Sequence, residues 1–375
     1  MVRIFHTADV HLGLKFVRAS LESHREKLVE ARLSALSRMV EVAMQEKCDL
    51  LVIAGDLFDS VKVQKPVVRK AAEILRRFDG MVVVLPGNHD FVQERSEDDL
   101  WINFAEVLGD QHLVLRESRA YDLRAFDLPL VLYAGPCTTR HSSENAIGWV
   151  KAARENDPGD HIRVGIAHGS LDGLSPDFSG DYFPMTRQEL HQSNLHAWLL
   201  GHTHVRFPDK ETGSGDRIFY PSVPEPDGFD CHHGGSAWVI ELASDGEPVY
   251  RSVPIGAFQF HDLKFTIDSE ADLDRLYANF SKLDRSKDLV KLELVGRLEG
   301  ELFAQLPTRI QGLETCVLHL ETCTSGLLRL IQQNDIDREF TEGSFPHRLL
   351  SELSKDPEDQ LALQIAHEMV DEARS

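Results

Sequence analysis

The sequence contains few cysteines and no long apolar run. Its five cysteines include no C-x-x-C pair, which excludes a disulfide-rich secreted scaffold and a thiolate metal site. Apolar runs such as residues 50–54 and 81–85 have only the length of a strand, whereas a membrane-spanning helix needs about 20 residues. The chain opens on a strand-like segment that leaves no room for a secretory signal. We therefore expect a cytoplasmic protein with reduced cysteines and no membrane helix.

Positive charge is also scarce. Lys and Arg number 40 against 61 Asp and Glu, which gives a net charge of -21 and argues against a protein whose whole surface attracts nucleic acid. One basic stretch stands out between Asp59 and Glu73, where no acidic residue occurs. We mark Lys62, Lys65 and Arg69 within it as candidate substrate-binding residues, with an ordinary solvated helix face as the alternative.

The first half of the chain alternates strand-like and helical patterns, which predicts an α/β sheet. Strand-like runs occupy residues 2–8, 50–54, 81–85, 163–167 and 197–200. Between the first two runs, apolar residues recur at helical spacing and predict a long amphipathic helix; they are Val29, Leu33, Leu36, Val40 and Ala43. A mostly β region then extends to about residue 255.

Polar side chains follow these strand-like runs, where a parallel sheet would bring them to one edge. Seven of them carry an oxygen or nitrogen that can bind a divalent cation: Asp9, His11, Asp56, Asn88, His168, His202 and His204. Two cations about 3.5–4 Å apart can clamp the attacking and leaving oxygens of a phosphoryl transfer and turn a bridging water into hydroxide. The pattern therefore predicts a two-metal hydrolase.

We assign the seven ligands to two ions. Asp56 is predicted to bridge the ions, because its strand would lie between the others and a carboxylate offers one oxygen to each ion. One ion would also bind Asp9, His11 and His204, and the other would bind Asn88, His168 and His202. Ligands without thiolate fit Mn²⁺, Fe²⁺ or Zn²⁺, and the spacing does not choose among these metals.

His89 and Asp90 follow the predicted ligand Asn88 directly and are the candidate catalytic residues. A neighbouring carboxylate can hold an imidazole in one tautomer and keep it partly protonated. We therefore expect Asp90 to orient His89, and His89 to donate a proton to the leaving oxygen or to stabilise its charge. A purely supporting role for His89 is the alternative.

The composition changes near residue 257. Alternating strands and helical patterns from there to about residue 335 predict a small separate α+β domain, after which residues 336–375 form a helical tail. Asp356 and Pro357 have the features of a helix start. The final helix carries an apolar stripe of Leu361, Ile365 and Met369 that packs on this chain or on another protein.

Several of these blocks resemble the calcineurin-like metallophosphoesterase superfamily over about the first 240 residues. The similar blocks are Asp9-x-His11, Gly55-Asp56-x-x-Asp59, Gly87-Asn88-His89-Asp90, His168 and Gly201-His202-Thr203-His204. Residues 5–13 and 55–59 resemble the DNA repair nucleases of the SbcD and YhaO type within that superfamily. The sequence departs from the usual Tyr-Pro-Gly-Ser block, since it reads Tyr220-Pro221-Ser222 and lacks the glycine.

The resemblance implies a four-layered α/β sandwich for residues 1–256 and a capping domain for residues 257–335. It also implies Mn²⁺-dependent cleavage of DNA phosphodiesters, with the seven residues above as metal ligands and His89 as the catalytic histidine. The expected partners are DNA and an SMC-like ATPase of the SbcC type, and a homodimer is left open.

Three hypotheses follow for function. The first is a metal-dependent DNA exonuclease or endonuclease that acts in DNA repair with the ATPase. The second is a phosphodiesterase or phosphatase acting on a small phosphoester, which suits an acidic surface. The third is an adaptor that positions an ATPase on DNA and has little chemistry of its own.

Overall fold

The polypeptide folds as two units, residues Met1–Gln259 and Phe260–Ser375. In this computed structural model, the residues described are 1–17, 19–93, 99–175, 177, 179–231, 233–356 and 359–374. The domain borders at residues 256/257 and 335/336 remain predictions from the sequence. Pro357, the predicted first residue of the last helix, lies outside the described residues.

The strands and helices alternate along the first unit. The strands are β1 Val2–Thr7, β2 Leu50–Ala54, β3 Met81–Leu85, β4 Leu113–Val114, β5 Ala120–Asp122, β6 Leu130–Gly135, β7 Ile162–His168, β8 Ala197–Gly201, β9 Arg206–Phe207, β10 Thr212–Ser214, β11 Ile218–Pro221, β12 Ser236–Leu242, β13 Val249–Pro254, β14 Gln259–Thr266, β15 Asp288–Glu299 and β16 His319–Leu330. The helices are α1 Arg25–Gln45, α2 Lys65–Leu75, α3 Leu100–Leu108, α4 Val150–Glu155, α5 Arg187–Gln192, α6 Glu270–Phe280, α7 Gly300–Glu314, α8 Gln333–Glu339, α9 Phe345–Leu353 and α10 Gln360–Arg374. Short 3₁₀ helices occupy Ala19–His24 and Leu123–Phe126.

Two mixed sheets form the centre of the first unit. One has the strand order β10-β13-β12-β1-β2-β3-β4, and the other has the order β5-β6-β7-β8-β11-β9. Strands β1 to β4 are parallel, as are β6, β7, β8 and β11. The carboxyl ends of each parallel group therefore share one edge, and loops leaving that edge can converge on one site.

The two sheets pack face to face between layers of helices. Successive residues of β2 alternate between two cores: Leu51 and Ile53 pack on the side of α1, α2 and α3, while Leu50 and Val52 pack between the sheets. A third core joins the outer face of the second sheet to α4 and α5, through residues such as Trp198. Both faces of the sheets are covered, which explains the continuous apolar runs in their strands. The four-layered α/β sandwich expected from the sequence is confirmed.

Local signals in the sequence explain several helix boundaries. The long helix predicted from apolar spacing is α1, whose Leu36 and Val40 are buried. Pro66 stands in the first turn of α2, where a missing backbone N–H costs nothing. Asp99 caps α3 by accepting hydrogen bonds from the backbone N–H groups of Trp101 and Ile102.

The second unit contains a three-stranded sheet and helices. Its strand order is β14-β15-β16, and β15 runs parallel to β16. Helices α6 and α7 contribute to a core with these strands through residues such as Leu276, Phe280 and Leu313. A separate apolar cluster joins α8, α9 and α10 through Ile336, Leu350 and Leu363. The residues predicted to form an α+β region therefore have an α+β structure. Among the described residues, none of the helices combines the length and apolar character needed to cross a bilayer.

The fold buries His6 of β1 completely, and its Nε2 atom lies 3.1 Å from the carbonyl oxygen of Phe219. Burial lowers the pKa of His6 to about 4 from the usual 6.5. Between those pH values the unfolded chain binds a proton that the folded chain does not bind. The stability contributed by neutral His6 is therefore complete above pH 6.5 and is lost as the pH falls toward 4.

We predict that His6→Gln, which keeps a donor for Phe219 but does not titrate, weakens the acid dependence of stability. For the metal-free protein, the loss of unfolding free energy between pH 7 and pH 4.5 should shrink by roughly 2–3 kcal/mol. Urea denaturation in EDTA measures this loss for both proteins. Equal losses in both proteins would contradict a neutral buried His6.

Candidate metal centre

All seven predicted metal ligands lie at one edge of the two sheets. They occupy the loops after β1, β2, β3 and β8 and the last residue of β7. Contacts between these segments close the edge. A ring nitrogen of His168 lies 2.9 Å from the carbonyl oxygen of Ala54, and the backbone N–H of His202 donates to the Asp9 carboxylate at 3.0 Å.

Asp9, His11 and His204 form the first group of ligand atoms. Their nitrogen and oxygen atoms lie within 4.8 Å of one another. The rings of His11 and His204 are 5.5 Å apart, and Nε2 of His11 lies 3.7 Å from an Asp56 oxygen. This group is the set that the sequence assigned to one ion.

Asp56, His168, Asn88 and His202 form the second group. Nε2 of His168 lies 3.3 Å from the Asp56 carboxylate and 3.0 Å from Oδ1 of Asn88. The same Asn88 oxygen is 3.2 Å from Nδ1 of His202. Asp56 contacts members of both groups and thus lies between them, in the position predicted for a bridging carboxylate.

Four of the seven residues adopt backbone conformations that side chains rarely take. Positive φ angles occur at Asp9 (56°), His11 (49°), Asp56 (53°) and His202 (96°). Each such residue costs on the order of 1–3 kcal/mol and persists only where the surrounding structure enforces it. Strain of this kind concentrates at functional sites, because it aims side chains that relaxed loops would point elsewhere.

Two glycines make the close approach possible. A Cβ atom on Gly87 would lie 2.2 Å from an Asp56 oxygen, and one on Gly55 would lie 2.0 Å from Nδ1 of His168. Gly55 also has a φ of 94°, a conformation that glycine adopts without strain. The two motif glycines therefore leave room for the ligands themselves.

The cluster gathers electron-pair donors that lack partners of their own. Both ring nitrogens of His11 are buried and, within the described part of the chain, have no hydrogen-bond partner. Asp9 and Asp56 are buried beside each other, although buried carboxylates repel. A divalent cation would satisfy both features, since it binds neutral imidazole and offsets carboxylate charge. The residues therefore fit a metal centre with oxygen and nitrogen ligands.

Electrostatics in the cluster follow from burial and from the Asp56–His168 contact. Burial raises the pKa of Asp9 and lowers the pKa of His11 well below its usual value. Burial also opposes charge on Asp56 and His168, but their mutual attraction wins. It holds the pKa of Asp56 below its usual range and raises the pKa of His168 to about 9. Without a cation, a shared proton takes its place between these two groups.

The predicted pairing of His89 with Asp90 is wrong. Nδ1 of His89 lies 3.1 Å from the backbone carbonyl oxygen of Asp59 and 3.9 Å from its carboxylate. The neighbouring Asp90 points away into the protein, because consecutive residues of this turn project in different directions. Asp59, which belongs to the same block as Asp56, is the residue that orients His89. The spacing of three residues after Asp56 was the available signal.

Asp90 joins the loops that follow β2 and β3. Its carboxylate accepts hydrogen bonds from the backbone N–H groups of Phe58 at 2.9 Å and Gly87 at 2.7 Å. Burial, together with the nearby charge of Asp56, raises the pKa of Asp90 to about 8. Its position thus supports the loops that carry Asp56 and Asn88, and its predicted catalytic role has no contact with His89 behind it.

The three basic residues predicted to bind substrate do not lie together. Lys62 lines a groove of about 750 Å³ that reaches Asp59. Lys65 and Arg69 line a different cavity, beside Leu100 and Asn103 of α3. They are four residues apart on α2 and share a helix face that is turned toward α3, whereas Lys62 precedes the helix. Only Lys62 is brought to the edge of the site.

An aromatic contact beside the centre could not be placed from sequence. The ring of Tyr182 stacks on His202 at 4.9 Å and also contacts the ring of His141 at 5.1 Å. The sequence indicated only a long loop rich in aromatic residues over the site. Phe178, another aromatic of that loop, lies outside the described residues.

We predict that Mn²⁺ stabilises the protein through Asp56. At a concentration 100 times the dissociation constant, binding should add about 2.7 kcal/mol to the unfolding free energy, and Asp56→Asn should remove most of this gain because it removes the central negative charge. Thermal unfolding with Mn²⁺ and with EDTA measures the effect. Asp110→Asn, an exposed position after α3, is the control and should keep the full gain. A full gain in Asp56→Asn would contradict the proposed centre.

Comparisons with known proteins agree with this geometry. The family model described as calcineurin-like phosphoesterase matches residues 2–206. The chain is 31% identical over 270 residues to the DNA double-strand break repair protein Mre11 of Methanopyrus kandleri, covering 68% of this chain and 57% of that protein. It is 28% identical over 211 residues to the uncharacterized metallophosphoesterase YhaO of Bacillus subtilis, covering 54% of this chain and 48% of that protein.

A third relative matches over a longer part of its sequence. It is a subunit of the nuclease SbcCD of Rhodobacter capsulatus, 26% identical over 366 residues, with 83% of this chain and 87% of that protein covered. The chain spans about half the length of the first two relatives. The family match covers more than half of the chain and includes all of its predicted metal ligands. This chain belongs to the calcineurin-like phosphoesterase family.

Proposed function

We propose that this chain is a metal-dependent nuclease that hydrolyses phosphodiester bonds in DNA during repair, as an exonuclease or endonuclease acting with an SMC-like ATPase. The observation that carries the proposal is the convergence of seven oxygen and nitrogen donors beside a partly exposed histidine. Relatives named as a double-strand break repair protein and as part of a nuclease support DNA as the substrate. A cytoplasmic location is part of the same proposal.

In this proposal, the seven residues hold two divalent ions, with Mn²⁺ as the first choice and Fe²⁺ or Zn²⁺ as alternatives. Two such ions, when bound, clamp the attacking and leaving oxygens of a phosphodiester and supply a hydroxide nucleophile near neutral pH. Asp56 lies between the two groups of ligands and holds them in register. The strained loops fix the remaining ligands before substrate arrives, so that little reorganisation is needed during the reaction.

His89 is placed to handle the proton of the leaving group. A carbonyl oxygen can only accept, so the 3.1 Å contact with Asp59 fixes a hydrogen on Nδ1 of His89. Nε2 is then the nitrogen that faces substrate, and a protonated ring donates from it to the leaving oxygen. The Asp59 carboxylate, 3.9 Å from Nδ1, balances the charge of that protonated ring. With 29% of its side chain exposed, His89 is accessible from the groove.

The groove beside Asp59 offers a local exception to the acidic surface. Its described lining includes the basic side chains of Lys15, Arg25 and Lys62, and Asp59 is the acidic residue among them. Three positive charges along a groove next to the centre match the spacing of phosphates on a nucleic-acid strand. The net charge of -21 therefore does not exclude DNA from this part of the surface.

The second unit supplies a candidate contact for the ATPase. Leu361, Ile365 and Met369 recur every four residues along α10 and are 58%, 49% and 65% exposed. An exposed apolar stripe on a helix is suited to packing against a partner helix. The name of the SbcCD relative indicates that it works within a complex. We propose α10 as the docking element, and residues 257–335 as the cap that shapes access of substrate.

We predict that His89→Ala lowers the turnover number on DNA by roughly 100- to 10,000-fold, the usual contribution of a general acid. The stabilisation by Mn²⁺ should remain, because His89 is not one of the proposed ligands. Turnover on end-labelled linear DNA and thermal unfolding with Mn²⁺ are the two measurements. His191→Ala, on the exposed face of α5, is the control. Normal cleavage by His89→Ala would remove the role assigned to His89, and loss of the Mn²⁺ effect would make it a ligand.

A comparison of substrates at the same metal concentration tests the choice of DNA. The wild-type protein should degrade linear DNA faster than it hydrolyses bis-p-nitrophenyl phosphate or mononucleotides. Hydrolysis of the small esters alone would favour a small-molecule phosphodiesterase. Absence of all hydrolysis across a panel of Mn²⁺, Fe²⁺ and Zn²⁺ would favour the adaptor hypothesis.

We predict that Ile365→Glu combined with Met369→Glu lowers the affinity for the SMC-like ATPase at least tenfold, because two charges would be buried in an apolar contact. Turnover of bis-p-nitrophenyl phosphate by the isolated chain should not change. Ala271→Glu, at an exposed position of α6, adds charge to the same unit and serves as the control. Unchanged binding by the double variant would exclude α10 as the docking element.

A further inference from the structure

We propose that Arg140 binds a non-bridging oxygen of the scissile phosphate, as a substrate-binding residue of the centre described above. The inference rests on the proposed phosphodiester hydrolysis and adds a residue that lies outside the recognised sequence blocks. It follows from how the loop after β6 is fastened on both sides of Arg140, and from the lack of any other partner for this side chain in the described structure.

One side of the loop is fastened to segments that carry metal-centre residues. The backbone N–H of Cys137 donates to the carbonyl oxygen of Pro86 at 3.1 Å, two residues before Asn88. The buried thiol of Cys137 donates to the carbonyl oxygen of His168 at 3.4 Å. Three residues later along the chain, Arg140 therefore starts from a fixed point beside the centre.

The other side of the loop is fastened to the segment that contains Tyr182. The backbone N–H of Ser142 donates to Asp181 at 2.8 Å, and its carbonyl oxygen accepts from Phe183 at 2.9 Å. His141 contacts the ring of Tyr182, which stacks on His202. Arg140 is thus held between two anchors, each of which is tied to a proposed metal ligand.

The Arg140 side chain reaches toward the other side of the site. Its charge acts on the Asp59 carboxyl, where burial raises the pKa and the nearby His89, Arg32 and Arg140 oppose that rise. Arg32 is 1% exposed, donates to the Val10 carbonyl oxygen and pairs with Asp227 at 3.2 Å. It is therefore not available to a ligand.

Arg140 has the opposite character. It is exposed, and among the described residues its guanidinium makes no hydrogen bond or ion pair. An arginine held beside a metal centre without a carboxylate partner has its donors directed at solvent, where a substrate phosphate would lie. The guanidinium presents a planar fork of N–H donors that matches two phosphate oxygens.

The chemistry gives such a residue a defined role. In phosphoryl transfer, negative charge is spread over the non-bridging oxygens while the attacking and leaving oxygens lie in line. The proposed metal ligands carry carboxylates and imidazoles but no permanent cation. Arg140 would add a fixed positive charge on the side of the substrate next to Asp59 and His89, and would hold the phosphate with its leaving oxygen toward His89.

Steady-state kinetics of the full-length Mn²⁺ protein test this role with bis-p-nitrophenyl phosphate and with linear DNA. Arg140→Ala should lower kcat/KM about 10- to 100-fold on both substrates, the usual effect of losing a charge-assisted hydrogen bond. Arg140→Lys keeps the charge but loses the fork and should fall between Arg140→Ala and wild type. Arg77→Ala, an exposed arginine after α2, is the matched control and should stay within twofold of wild type.

Binding of inorganic phosphate to the same Mn²⁺ proteins, measured by calorimetry, gives a second readout that needs no turnover. Arg140→Ala should weaken phosphate binding at least tenfold. If Arg140 only positions Asp59, its loss would lower kcat while KM and phosphate binding stay unchanged, and that outcome would overturn the proposal. Equal behaviour of Arg140→Ala and Arg77→Ala would overturn it too. Failure of every protein to cleave DNA, with the predicted pattern on the small ester and on phosphate, would instead refute the nuclease and leave the Arg140 assignment standing.

Discussion

The structure depends on one electrostatic constraint, which is that buried carboxylates and imidazoles share a site without enough protons between them. Asp9 and Asp56 repel each other, and both nitrogens of His11 lack a hydrogen-bond partner in the described structure. The chain maintains this arrangement with four strained backbone positions and two glycines that no larger residue could replace. Such an expensive cluster is stable only if something else compensates the charge, and divalent cations do so while creating the reactivity of a phosphoesterase.

The two sheets explain how the cluster is assembled from distant parts of the chain. Each parallel strand ends at the same edge, so residues separated by up to 195 positions meet without a long loop of their own. Cores on both faces of each sheet fix the strand ends to within packing tolerances. Asp90 and Cys137 then bond one loop to the next. The site is thus held by the sandwich below it and by contacts between neighbouring loops.

Much of this arrangement could be predicted from the sequence, because polar residues placed directly after apolar runs indicate strand ends and ligand-bearing loops. The direction of individual side chains could not. Asn88, His89 and Asp90 are consecutive, yet Asn88 faces the centre, His89 faces Asp59 and Asp90 faces the backbone of Phe58 and Gly87. The helical phase of α2 likewise separates Lys65 from Lys62. Ser222 replaces the glycine of the usual Tyr-Pro-Gly-Ser block and keeps a positive φ of 69°, which only the structure reveals.

The most direct test of the account is anomalous diffraction from crystals of the protein grown with Mn²⁺. We expect two peaks about 3.5–4 Å apart, with Asp56 between them, one peak beside Asp9, His11 and His204 and the other beside Asn88, His168 and His202. A single peak away from Asp56, or no peak within this cluster at saturating Mn²⁺, would contradict the account.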